Sequence, residues 1–142
     1  MSDAERLSRD PANLEAMWGR ALPFYKQLKV EGFSNEIIAA VLGNMAMESS
    51  CDATADSGSH SGFFGNQREI KNWIIKNFGG YNSNHQMNYL IAGLKGTLPD
   101  TKSLWGDDLY KRFNKFMQSS KNTTNISRLS DYWEKYYEKS GG

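Results

Sequence analysis

The sequence predicts an α+β domain that is mainly α, with a small β-hairpin or loop region after its second helix. Apolar residues recur at helical spacing through most of the chain. Only residues 52 to 66 lack that spacing over a long stretch, and this stretch is rich in Gly, Ser and Asp. The length of 142 residues matches one domain with one core. We therefore expect a single domain over residues 1–142, in which residues 1–10 are a flexible N-terminal segment.

The first helix is predicted to begin at Asp10 and Pro11, which form a good N-cap and first-turn pair. Pro23 is expected to kink or end this helix, because proline lacks the backbone N–H and its ring clashes with the preceding turn. The apolar residues after Pro23 continue to Gly32, which we expect to act as a C-cap. The apolar stripe before Pro23 consists of Leu14, Met17, Trp18, Ala21 and Leu22.

Glu48 continues the apolar stripe of the second helix, which Ser34 is expected to cap. It follows Met45 by three residues and Val41 by seven, so its carboxyl would lie at the edge of an apolar face. Burial there would raise its pKa and keep it protonated near neutral pH, as a general acid requires. The alternative is a last-turn glutamate that points into solvent. The rest of the stripe is Ile37, Ile38 and Leu42.

A polar segment follows this helix and extends to Gln67. Its only apolar pair is Phe63 and Phe64, so it cannot bury itself and is typical of turns or a small hairpin over the helix end. Loops that a rigid scaffold holds beside a carboxylate often carry chemistry. The segment is therefore the expected location of a functional site.

Four further helices follow, each marked by apolar residues at helical spacing. Their stripes run from Ile70 to Phe78, from Met87 to Leu94, from Leu109 to Met117 and from Ile126 to Tyr137. Gly79 ends the first of them. The sequence GTLPDTKS at residues 96–103 predicts a loop between the second and third.

Charge and hydropathy exclude several classes of function. The 17 basic and 16 acidic residues nearly balance, so no nucleic acid or anionic membrane partner is indicated. No apolar run approaches the ~18 residues of a membrane span, so no membrane insertion is expected. Residues 1–15 lack the apolar core of a secretory signal. We expect synthesis in a cytoplasm without a signal peptide, and action outside the cell would require a carrier or cell lysis.

Thiol and metal chemistry are not indicated either. Cys51 is the only cysteine, so no intramolecular disulfide can form. His60 and His85 lie in no recognisable cysteine-hydrolase setting, and a small semi-buried thiol is the expected role of Cys51. The two histidines are isolated and no Gly-rich phosphate loop is present, so we expect neither a metal nor a cofactor.

Several motifs resemble those of phage tail lysozyme domains. In that family a helix ends in a GILGN-like pattern followed by ES, and here VLGN at residues 41–44 precedes Glu48 and Ser49. QMNYL at residues 86–90 is similar to the family's QxxYL helix. YYEKSG at residues 136–141 resembles its closing YERPG-like segment. The motifs occur in the family's order over nearly the whole chain.

The resemblance implies a lysozyme-like domain that cleaves the glycan strands of bacterial peptidoglycan, with Glu48 as the catalytic acid. Such cleavage needs a carboxylic acid to protonate the leaving oxygen. The implied enzyme is a muramidase that cleaves the MurNAc–GlcNAc β-1,4 bond. It would be made in the host cytoplasm and act on the cell wall as a virion component, with other virion proteins as partners, or after release as an endolysin.

The chain departs from the family at one motif. A GxxQW-like pattern usually follows the glutamate, but Gly65 occupies the expected Gln position. Asn66 or Gln67 would supply the missing amide. Substrate-binding candidates are Ser61, Gly62, Phe63, Phe64, Asn66, Gln67, Tyr89 and Tyr137. For Phe63, Phe64 and Tyr137, a wall for sugar rings competes with simple core packing.

Asp56 is the candidate second catalytic group, because it lies eight residues beyond Glu48 and past a turn. The alternative is a turn-forming aspartate. Three functions remain open. The first is a glycan hydrolase, and the second is a lytic transglycosylase that uses Glu48 as acid and then base without Asp56. The third is a catalytically silent glycan-binding or structural module, which the altered Gln motif suggests.

Overall fold

The computed structural model describes residues 11–99 and 108–138, and in them the chain is α+β and mainly helical, as predicted. A two-stranded sheet separates the second and third helices, and a short π-helical segment, Glu134–Glu138, follows the last helix. The described α-helices are α1 (Pro11–Val30), α2 (Asn35–Ser49), α3 (Arg68–Phe78), α4 (Ser83–Lys95), α5 (Asp108–Ser120) and α6 (Ile126–Trp133). The strands are β1 (His60–Ser61) and β2 (Asn66–Gln67).

Two predicted caps, Ser34 and Gly79, lie at helix ends, and Gly32 follows the end of α1 at positive φ. The predicted N-cap Asp10 lies outside the described residues. Ser34 caps α2 and its hydroxyl accepts a hydrogen bond of 3.2 Å from the Ile37 N–H. Gly79 ends α3 in the left-handed region. The prediction that Pro23 could end the first helix is wrong, because α1 is helical from Pro11 to Val30. Proline in a helix interior costs about 3 kcal/mol, and the buried residues on both sides of Pro23 offset that cost by holding the helix against the core.

One cluster of buried apolar side chains draws on all six helices and on the loop of the hairpin. Each large side chain in it contributes about 1.5–3 kcal/mol by leaving water. Trp133 and Tyr137 stack with their ring centroids 4.5 Å apart, which joins the end of α6 to the π-helical segment. The helix α2 packs against α6, and Asn44 Nδ2 donates to Ala40 O (2.9 Å) and to Ser130 O (3.4 Å). This packing fixes the position of the C-terminal end of α2.

The predicted hairpin is present and small. The strands are antiparallel, with His60 opposite Gln67 and Ser61 opposite Asn66. The hairpin extends to Gln67, one residue beyond the predicted segment. The expected loop at residues 96–103 is described only as far as Pro99. The expected N-terminal segment 1–10 and the end of the YYEKSG motif lie outside the described residues. Among the described helices, none has the length and hydrophobicity needed to cross a membrane.

Candidate active site

Glu48 lies in the last turn of α2, directly before a sharp change in chain direction. Ser50 and Cys51 both adopt left-handed backbone conformations, with φ of 54° and 59°. Ser50 N–H donates to Ala46 O (2.9 Å), which ends the helix. The chain therefore leaves α2 immediately after Glu48 and returns as the hairpin beside it.

The Glu48 side chain lines a cavity of about 310 Å³. The other walls come from the hairpin, α3, α5 and the π-helical segment. The lining residues besides Glu48 are His60, Gly65, Asn66, Gln67, Ile70, Arg112, Tyr137 and Glu138. A cavity of this size lies at the lower end of the range of small-ligand sites, and its lining is mainly polar.

The pKa of Glu48 is raised, chiefly because partial burial disfavours its charged form. The negative charge of Glu134 raises the pKa further, whereas His60 lowers it. The side chain itself remains exposed to solvent. Glu48 thus combines access from solvent with a carboxyl that holds its proton more tightly than an ordinary glutamate.

Two glycines of the hairpin allow close approaches at the site. Gly65 has φ of +61°, and a Cβ there would lie 3.3 Å from Glu48 Oε2. Gly62 has φ of +83°, and a Cβ there would overlap Gln86 Oε1 and the Tyr81 hydroxyl. Both positions need glycine for its freedom at positive φ, and Gly65 also leaves room for the Glu48 carboxyl.

A chain of hydrogen bonds runs behind the cavity wall. Tyr137 OH donates to Asn66 Oδ1 (2.6 Å), so the Tyr89 hydroxyl, 2.9 Å away, must donate to Tyr137. Asn66 Nδ2 donates to Tyr81 OH (3.2 Å), which in turn donates to Ser61 O (2.8 Å). This chain ties the hairpin to α4 and to the π-helical segment.

Gln86 attaches the tip of the hairpin to α4. Its Oε1 accepts from the Phe63 N–H (2.8 Å), and its Nε2 donates to Ala53 O (3.0 Å) and Tyr81 O (2.8 Å). Ser49 Oγ donates to Phe63 O (2.8 Å) from the end of α2. The two side chains hold the hairpin next to Glu48.

Of the predicted substrate-binding residues, Asn66, Gln67 and Tyr137 line the Glu48 cavity. The Asn66 amide is buried and engaged by tyrosines, whereas Gln67 is exposed. Of the two amides, Gln67 is therefore the exposed one at the cavity. Tyr89 is buried behind Tyr137 and acts as its hydrogen-bond partner.

The remaining candidates lie away from the Glu48 cavity. Phe63 and Phe64 do not form the expected sugar-facing wall, because both are 3% exposed and packed in the core. Phe63 stacks on Phe24, and Phe64 contacts Trp133. Gly62 is buried in the loop of the hairpin, next to Tyr81 and Gln86, and Ser61 lines a separate depression of about 160 Å³.

Asp56 lines the same separate depression as Ser61, and His60 lies between that depression and the Glu48 cavity. The Asp56 side chain is exposed, and its Oδ1 accepts a hydrogen bond of 2.7 Å from the Gly58 N–H. This is the contact of a turn-forming aspartate. Among the residues that the structure describes, Asp56 and Glu48 therefore line different cavities.

Sequence reasoning gave no role to three residues of the cavity wall, namely His60, Arg112 and Glu138. Arg112 Nε lies 3.1 Å from Asp108 Oδ2, and its guanidinium also donates to Tyr137 O (3.4 Å). The sequence feature that could have indicated Glu138 as a site residue is its position in the closing YYEKSG motif, next to Tyr137. No local pattern indicated Arg112, which lies on an ordinary amphipathic helix.

Cys51 is buried, and burial raises the pKa of its thiol to about 11. The thiol therefore stays protonated and is not a nucleophile near neutral pH. His85 lies in the capping box of α4, where its Nδ1 accepts from the Asn82 N–H (3.1 Å). In the described ranges, no three His, Cys, Asp or Glu side chains are grouped as metal ligands.

Comparison with known proteins identifies the family. No curated protein and no solved structure matches the chain. A family model described as phage tail lysozyme matches residues 19–142. The matched range includes α2, the hairpin and every residue that lines the Glu48 cavity. The chain therefore belongs to the phage tail lysozyme family.

Proposed function

We propose that this chain is a muramidase that hydrolyses the MurNAc–GlcNAc β-1,4 bond of peptidoglycan, with Glu48 as the general acid. The observation that supports this most directly is the setting of the Glu48 carboxyl. It lies in a cavity of about 310 Å³, and partial burial raises its pKa. A raised pKa leaves more of the carboxyl protonated at a given pH, and the protonated form is the one that can protonate the leaving glycosidic oxygen.

Membership of the family makes the chain a lysozyme-like domain that acts on bacterial peptidoglycan. The cavity offers polar groups that suit a sugar, with the Gln67 amide, the Arg112 guanidinium and the His60 imidazole beside the apolar surface of Ile70. We infer that the domain acts on the cell wall, as a virion component in contact with other virion proteins or after release from the host.

The rate should depend on pH through Glu48. A general acid works only while it is protonated, so cleavage is fastest below the pKa of Glu48 and falls as the pH rises through it. Partial burial and the charge of Glu134 both raise that pKa. The alkaline decline should therefore occur at a higher pH than an ordinary glutamate, with a pKa of ~4.3, would give.

A lytic transglycosylase is the second candidate, and the position of Asp56 favours it. That carboxylate serves a turn and lines a different depression from Glu48. A transglycosylase needs no separate base to activate water, because the same glutamate acts as acid and then as base. Within this alternative the role of Glu48 as acid is unchanged, and the products differ.

The test is incubation of the chain with purified peptidoglycan, followed by mass spectrometry of the soluble products. A muramidase releases fragments with reducing ends, and a transglycosylase releases anhydro-muramyl ends. Glu48→Gln should abolish release, with a loss of at least ~10²-fold, because the amide keeps the shape but delivers no proton. Glu36→Gln, the same change at the other end of α2, is the matched control and should cleave normally. A Glu48→Gln protein that cleaves at the normal rate would remove Glu48 from the acid role.

A further inference from the structure

Glu138 is a second carboxyl in the wall of the Glu48 cavity, and the mechanism above does not use it. It is the last residue of the π-helical segment, and π-helical turns occur frequently at functional sites. Within the described part of the chain, Glu138 Oε1 is buried and has no hydrogen-bond partner. The neighbouring indole of Trp133 lowers the pKa of Glu138, but its Nε1 also lacks a partner with hydrogen-bond geometry.

A buried carboxyl oxygen without a partner costs about 1–3 kcal/mol, more if it is charged. Oε1 has almost no exposed surface, so the oxygen through which Glu138 lines the cavity and can contact a ligand is Oε2. The charge on Glu138 decides which kind of ligand group fits. A carboxylate would accept a hydrogen bond, whereas a protonated carboxyl would donate one.

Charged groups face Glu138 from two helices besides its own segment. Glu48 on α2 and Glu134 disfavour a negative charge on it, and Arg112 on α5 favours one. The effect of Arg112 is limited, because its guanidinium also contacts Asp108 and donates to a backbone carbonyl. His60 on β1 completes the charged or titratable groups of the cavity wall.

The charge of Glu138 acts on two tyrosines, Tyr89 and Tyr137, which themselves contribute no charge. Burial raises the pKa of both the Tyr89 and the Tyr137 hydroxyl, so they remain neutral. Two carboxylates in one cavity repel each other, so one of the two keeps its proton to higher pH. Glu48 is exposed, whereas Glu138 is partly buried, so Glu138 is the group that keeps it. Burial and the charge of Glu48 together raise the pKa of Glu138 to about 9.

We propose that Glu138 works as a protonated, neutral carboxyl that donates a hydrogen bond to the acetamido carbonyl of a sugar bound beside Glu48. The inference rests on the proposed function, because it assumes that an N-acetylated glycan enters this cavity. The acetamido carbonyl oxygen of such a sugar accepts hydrogen bonds and has no hydrogen to donate, so it matches a donor. Glu138 would then select N-acetylated glycans without taking part in the proton transfer.

The test is binding of a hexamer of N-acetylglucosamine to the Glu48→Gln protein, which removes cleavage. Burial, the largest cause of the raised pKa of Glu138, is unchanged in this parent, although the charge of Glu48 is removed. The parent should therefore lose affinity by about 10-fold between about pH 5 and about pH 10, as Glu138 ionises. Adding Glu138→Gln, which keeps a donor and cannot ionise, should leave affinity within about 3-fold of the parent at the lower pH and abolish its pH dependence. Adding Glu138→Leu should weaken binding by about 10-fold at both pH values. Circular dichroism would verify that each protein is folded.

Equal hexamer affinity at the two pH values in the parent, or full affinity in the Leu protein, would overturn the inference. Absence of any hexamer binding by the parent would overturn it as well. Failure of the proposed function has a different signature, because the unaltered chain would then release no fragments from purified peptidoglycan. Normal release together with pH-independent hexamer binding would reject the role of Glu138 alone.

Discussion

Replacement of Tyr137 by Phe tests whether the buried hydrogen-bond chain holds the cavity wall in place. Tyr137 OH donates to Asn66 Oδ1 (2.6 Å) and accepts from Tyr89 OH (2.9 Å). All three side chains are buried, with exposed fractions of 1–4%. Phe keeps the ring and its stacking on Trp133, so the change removes the hydroxyl without emptying the core.

The magnitude follows from the two groups that lose their partner. Asn66 Oδ1 loses its donor and the Tyr89 hydroxyl loses its acceptor. Each buried polar group left unpaired costs about 1–3 kcal/mol, so Tyr137→Phe should lower the free energy of unfolding by roughly 2–6 kcal/mol. Urea denaturation would measure this as a lower midpoint with an unchanged slope.

Tyr136→Phe is the matched control for this experiment. Tyr136 is partly buried and stacks on Tyr132, and its hydroxyl has no hydrogen bond to the described residues. Its removal should change the free energy of unfolding by less than about 0.5 kcal/mol. An equal loss in the two variants, or no loss in Tyr137→Phe, would show that the hydrogen-bond chain does not stabilise the fold.

Three further predictions concern the hairpin and the charges at the site. Gly62→Ala should destabilise by roughly 2–4 kcal/mol in thermal or urea unfolding, since it adds overlap with Gln86 and Tyr81 to backbone strain. Gly58 also has positive φ, but no atom lies within 4 Å of a Cβ added there, so Gly58→Ala should lower the free energy of unfolding by only about 1–2 kcal/mol. An equal loss in the two variants would refute the overlap at Gly62. Asp56→Asn should reduce peptidoglycan cleavage by far less than the ~10²–10⁴-fold effect of losing a general base, and a loss of that size would restore Asp56 as a catalytic group. Glu134→Gln should shift the alkaline decline of cleavage to lower pH by removing a charge that raises the pKa of Glu48, and an unchanged pH profile would contradict that coupling.

The helices could be predicted because their signals are local. Helical spacing of apolar residues identified all six described helices, and Ser34 and Gly79 mark ends by backbone chemistry that acts within one turn. Pro23 is the exception. Proline disfavours a helix interior by about 3 kcal/mol, but the helix continues through Pro23 because the residues around it pack against the core. No local sequence pattern measures that packing.

The site was predictable only in part. Glu48 was identified from its place at the edge of an apolar stripe, and the hairpin beside it from its turn residues. Phe63 and Phe64 were ambiguous, because an aromatic pair in a polar segment is compatible with a ligand wall and with a core anchor. Both rings are core anchors in the structure, because Phe63 packs against Phe24 of α1 and Phe64 packs against Trp133 of α6.

The sequence alone therefore determined the class of fold and the helix boundaries near their caps, and it predicted Glu48 as the acid. Only the tertiary structure decided which groups share a cavity with Glu48. Asp56, near in sequence, is held in a turn that lines another depression, whereas Arg112 and Glu138, distant in sequence, line the same cavity. The physical reason is that spacing and caps report on a few neighbouring residues. The charge and burial around a carboxyl depend on contacts between helices that are far apart along the chain.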